Sequence, residues 1–166
     1  EGGLFDGQKW RIATNPFPLD PKFARELESL GRVLLKFYRA ADLLYRHSIA
    51  GKQPTWVAKW LDQGKPQSLL DWQRHVGFKT ALPRVLRPDI LLTENGWHIT
   101  ELDSVPGGIG LTGWLNETYA EHSEVFGGPC GMVDGFAKIF NGDGPVHMMV
   151  SEESSTYRPE MEWLCA

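Results

Sequence analysis

Apolar side chains at Phe23, Leu27, Leu30, Leu34, Phe37, Ala41 and Leu44, followed by Ser48, recur at steps of three and four. That period winds them into one stripe along a helix, the face that packs on a core. Asp20 is the expected N-cap and Pro21 the first helical residue, because the proline ring fixes a helical φ and its missing N–H is not needed there. Ala50-Gly51 marks the end. Residues 55–62 and 68–72 predict two shorter helices, separated by Gln63-Gly64-Lys65-Pro66. They carry Trp56, Trp60 and Trp72, which the pattern assigns to packing against the long helix.

Strand-like runs lie on either side of these helices. Residues 8–14 predict a short strand before the extended turn Asn15-Pro16-Phe17-Pro18. Residues 87–93 and 97–103 flank Glu94-Asn95-Gly96, a hairpin signal. A glycine-rich loop, Pro106-Gly107-Gly108-Ile109-Gly110, precedes a predicted helix over 111–122. A loop at 127–131, a helix over 132–140, a turn at 141–144, a buried strand over 146–151 and a helix from about 157 complete the pattern. The expected fold is α+β (mixed α/β), with helices packed on a small, mostly antiparallel sheet. Residues 1–144 read as one lobe and 145–166 as the start of a following α/β lobe. The last helix stops mid-pattern with Met161, Trp163 and Leu164 in need of a partner, so a longer chain is expected.

Composition narrows the class. With 166 residues, 42% of them hydrophobic and 23% charged, the chain is a folded domain rather than a disordered or fibrous one. Seventeen Lys and Arg oppose 21 Asp and Glu for a net charge of −4, and no stretch concentrates the basic residues, which gives no nucleic-acid footprint. No apolar run reaches bilayer length and no signal-peptide pattern is present, so a cytoplasmic location without membrane contact is expected. Cys130 and Cys165 have no paired spacing and read as buried free thiols. His47, His75, His98, His122 and His147 lack the close helical pairing of a zinc site.

Candidate chemistry concentrates between residues 87 and 110. A two-residue turn at Asn95-Gly96 would pair Asp89 with Leu102 and put it on the face opposite Glu101 and Asp103. A three-residue turn, with Gly96 in the left-handed position, would instead pair Asp89 with Glu101 and Arg87 with Asp103. Three carboxylates and one guanidinium then share a face. Like charges directly opposite destabilise a sheet, an arrangement that Mg²⁺ and Arg87 would relieve. Leu91 and Ile99 share a face in that register and could line a nucleotide cleft. The glycine loop offers backbone N–H groups to an anion, reinforced by the helix dipole behind it.

The run Arg87, Asp89, hairpin, Glu101, Asp103, Pro106-Gly107 resembles the magnesium-binding end of the ATP-grasp superfamily, whose pattern has Asn at the position of Asp103. This departure keeps a coordinating oxygen and adds a charge. The early position of the motif resembles the circularly permuted, glutathionylspermidine synthase-like members. The resemblance is specific over 87–110, looser over 145–166 and weak elsewhere. It implies an ATP- and Mg²⁺-dependent ligase that joins a small-molecule carboxylate to an amine through an acylphosphate. Asp89, Glu101 and Asp103 would hold Mg²⁺, Arg87 would steady the acylphosphate, and Gly107 and Gly108 N–H groups would serve as oxyanion donors. As this chain alone the half-site is expected to be inactive. A different class of reading is a non-catalytic binding or assembly module using a Trp-rich surface, which exposed Trp56, Trp60 and Trp72 would favour. A metal-dependent phosphoesterase is a third, weakened by the lack of a base beside the acids.

Overall fold

A computed structural model describes residues 11–140 and 144–166. It is α+β: six α-helices and one two-stranded antiparallel sheet among the described residues. The chain divides into two compact units, Arg25–Pro83 and the remainder, Glu1–Ala24 with Arg84–Ala166.

The unit Arg25–Pro83 is helical. Helix α1, Pro21–Ile49, follows the apolar stripe and starts where expected, with Asp20 Oδ1 accepting the N–H of Lys22 at 2.8 Å and of Phe23 at 3.3 Å. Helices α2, Trp56–Asp62, and α3, Gln67–Arg74, follow, then a 3-10 turn at Val76–Phe78 that the sequence pattern did not predict. Leu30, Leu34, Tyr45, Ala58 and Leu70 are buried. Ser48 is 1% exposed. Its hydroxyl donates to Pro54 O at 2.6 Å and accepts from Ala58 N at 3.0 Å, which ties the end of α1 to the first turn of α2.

A second polar connection links all three helices of this unit. Tyr45 Oη donates to Asp62 at 2.7 Å, while Arg74 pairs with Asp62 and donates to Tyr45 Oη at 3.3 Å. Burial pushes the Tyr45 phenol above its usual value, helped by Asp62 and opposed by Arg74. At Asp62, burial works upward but is outweighed by the hydrogen bonds from Tyr45 and Arg74 and by the cationic charge, so its carboxyl sits low. The tryptophan expectation is overturned: Trp56, Trp60 and Trp72 are 61%, 72% and 63% exposed. Small Ala58 and Ser48, not the indoles, make the close approach between α1 and α2.

The other unit contains strands β1, Arg87–Thr93, and β2, Gly96–Asp103, and helices α4, Ile109–Ala120, α5, Gly131–Ala137, and α6, Arg158–Cys165. Both α5 and α6 pack on α4, with Ile109 and Met161 in the core. The extended segment before α1 is fastened to the end of α4, where Tyr119 Oη donates to Ala13 O at 2.7 Å. Three expectations change here. Residues 11–14 form no strand; residues 8–10 of that expectation, and 141–143 of the expected turn, lie outside the described residues. Residues 146–151 form no strand either: no other described segment pairs with them, and Val146 and Met149 are 54% and 93% exposed. Strand-prone composition needs a ladder partner to become a strand. Cys130 and Cys165 are free but exposed rather than buried, because both flank helix ends at the surface.

Candidate functional site

The hairpin brings the predicted acids together by a different route from the one expected. Gly96 takes a positive φ of 118° but is already paired with Thr93, so only Glu94 and Asn95 form the turn. From there Leu92 faces Trp97, Leu91 faces His98 and Ile90 faces Ile99. The register then shifts between Asp89 and Ile90, which leaves Thr100 as one extra residue in β2, its hydroxyl 3.2 Å from Asp89 O. Past this bulge the pairs are Asp89 with Glu101, Pro88 with Leu102 and Arg87 with Asp103. Arg87, Asp89, Glu101 and Asp103 therefore share one face. Leu91 and Ile99 do not, because they lie on the turn side of the bulge, where the register puts them on opposite faces.

The four side chains differ in occupation. Arg87 Nη1 lies 3.4 Å from Asp103 Oδ2, and Asp103 Oδ1 accepts the N–H groups of Ser104 and Val105, at 2.9 Å for Val105. Asp103 thus anchors the turn that leaves β2. Asp89 and Glu101 are exposed and directly opposite one another, and neither carboxylate forms an ion pair among the described residues. Facing carboxylates repel, and a divalent cation is the ligand that would turn this repulsion into attraction. No group of three or more His, Cys, Asp or Glu side chains is placed to hold a metal ion among the described residues. The set suited to a cation in this conformation is the pair Asp89 and Glu101, which suffices for Mg²⁺ only if water and phosphate complete its shell.

The glycine loop is engaged from within the chain. Gly108, with φ 86°, lies immediately before the first turn of α4, and its N–H donates to Glu160 Oε1 at 2.7 Å. Leu111 N–H donates to Glu160 Oε2 at 2.9 Å. Glu160, only 6% exposed, is thus the anion that the helix N-terminus attracts. Gly108 N–H, expected as an oxyanion donor, is already committed to that carboxylate. The ring of Tyr157 packs directly over Gly107, which is buried. At Gly110 a Cβ would stand 2.2 Å from the Glu160 carbonyl oxygen, so glycine is required there by the approach of α6. Much of the glycine richness of 107–110 therefore serves helix packing.

Sequence reasoning missed Glu160. Its visible signal is Arg158-Pro159-Glu160, a helix start with an acid in the first turn, which says nothing about a partner some 50 residues earlier. Neither strand contains a lysine that would reach nucleotide phosphates. Among the described residues no helix is long and apolar enough to cross a membrane. No family model, curated protein or solved structure shows significant similarity to the chain.

Proposed function

We propose that the hairpin is the metal-binding half of an ATP-grasp-type carboxylate–amine ligase. The observation that carries this reading is the register beyond the Thr100 bulge, which sets Asp89 against Glu101 and Arg87 against Asp103 on one face. Asp89 and Glu101 would hold Mg²⁺, with Asp103 joining them if it turns from the Ser104 and Val105 amides. Mg²⁺ would supply charge neutralisation for the β- and γ-phosphates of ATP. Arg87, fixed beside Asp103, would bind the acyl phosphate as a bidentate donor. Gly107 and Gly108 would shape the adjoining loop, with Gly108 acting as an oxyanion donor only after release from Glu160. The reading carries with it a small-molecule carboxylate and amine as substrates, a second lobe to close over the nucleotide, and a cytoplasmic setting. This chain alone is then an inactive half-site.

Calorimetric titration of Mg²⁺ and of Mg²⁺–ATP into the chain and its Glu101→Gln variant tests the proposal. Weak binding that disappears in the variant is expected. Binding that survives Glu101→Gln unchanged would place the cation elsewhere and overturn it.

A second reading is favoured by the exposure of Trp56, Trp60 and Trp72. Trp56, Lys59 and Trp60 fall on one face of α2, and Arg25–Pro83 holds ten Lys and Arg against five Asp and Glu. In this reading the unit is an assembly module for an acidic protein partner, and the hairpin is purely structural.

A further inference from the structure

A cavity of about 670 Å³ lies between the extended segment 15–19 and the outer side of α4. Its size is that of a small-molecule site. Tyr119 holds the segment in place through Ala13 O, and His122 Nε2 lies 3.4 Å from Thr14 O, so the wall is pinned at the C-terminal end of α4. Phe17, Phe126 and Met132 give the cavity apolar walls, and Asn116 supplies a carboxamide. Phe17 and Phe126 remain 67% and 48% exposed, aromatic surface that a bound molecule would cover.

Charge decides the class of ligand. Among the described residues lining the cavity, Glu124 is the one acidic side chain, and no Lys, Arg or His is present. An anion would meet aromatic faces and a carboxylate with nothing to neutralise it. A cation meets Glu124 in a lining that includes Phe17, Phe126 and Tyr119, aromatic rings whose faces attract positive charge. We propose that this cavity binds a small organic cation with an apolar body, an arylalkylammonium in its simplest form, seated between Phe17 and Phe126 with its charge toward Glu124. The site needs neither metal nor nucleotide, so it stands or falls separately from the ligase reading.

Phenethylammonium is the probe, with phenethyl alcohol and phenylacetate as its neutral and anionic counterparts. Calorimetry and saturation-transfer NMR against the full chain are expected to show saturable binding of the ammonium, about tenfold weaker binding of the alcohol and none of phenylacetate. Glu124→Gln is expected to weaken the ammonium about tenfold while leaving the alcohol unchanged, and Phe17→Ala to weaken both. Both positions are exposed, so circular dichroism should be unaltered in the variants. Equal affinity for phenylacetate, ammonium binding indifferent to both substitutions, or no saturable binding at millimolar concentration would each overturn the proposal.

Discussion

Each of the two units is organised around one carboxylate, and the two are held in different ways. In Arg25–Pro83, Asp62 receives side chains: the phenol of Tyr45 and the guanidinium of Arg74, from helices 17 and 12 residues away along the chain. In the other unit, Glu160 receives main-chain N–H groups of Gly108 and Leu111, 52 and 49 residues away. Side-chain partners can swing to follow a small displacement. Backbone amides at a helix start cannot, and the contact of Gly110 with the Glu160 backbone leaves no space for adjustment. The helical unit should therefore tolerate substitution near its carboxylate better than the hairpin unit does.

The largest effect is expected at Gly110. Its replacement by Ala forces α6 off α4 and should cost about 3 kcal/mol, read as a lower urea midpoint. A loss within the scatter of surface substitutions would break the contrast. Glu160→Ala leaves two half-buried N–H groups without their carboxylate acceptor and should cost about 2 kcal/mol, with Glu160→Gln losing roughly half as much because one acceptor remains. Proteolysis across residues 104–110 should accelerate in the same order.

Asp62→Asn comes next, at about 1 kcal/mol at neutral pH. Because the folded carboxyl sits below its unfolded value of 3.8, its contribution is full above that value and is lost as pH falls through the still lower folded one. The Tyr45 phenol runs the other way. Raised above 10.0, it contributes fully below that pH, and its share is lost as pH rises through the folded value. Chemical denaturation across pH should show both limbs in the native chain, the acid limb flattened by Asp62→Asn and the alkaline limb by Tyr45→Phe. The smallest effect is expected at Trp60, 72% exposed, where Ala should change stability by no more than about 0.5 kcal/mol. A larger loss would mean that the indole packs on its own unit, and would remove the support for the assembly reading.

Local signals carried the elements whose causes are local. The stripe from Phe23 to Leu44 and the Asp20 cap defined α1 to within a residue or two, since both the period and the cap act over one or two turns. Likewise the hairpin was legible from Glu94-Asn95-Gly96, and the pairing of Asp89 with Glu101 was one of the two registers the sequence allowed. What escaped depended on distant partners. Residues 146–151 have strand composition without a ladder, the tryptophans have core composition without a covering layer, and Glu160 meets the glycine loop only after the chain has folded. At the candidate site the residues were visible, but the engagement of Asp103 by its own turn and of Gly108 by Glu160 was not.

Thr100 is one residue in surplus, and it acts as a phase shifter between two reading frames. On the turn side the frame suits Thr93 with Gly96 and the Ile90–Ile99 pair; on the open side it suits the charged quartet. Without Thr100, Glu101 would follow Ile99 directly and continue the turn-side register, still opposite Asp89, so the deletion would remove the bulge and its local bend while keeping every pair of the quartet. The surplus residue thus changes the path of the strand and not its partners, re-aiming the charged end relative to the turn.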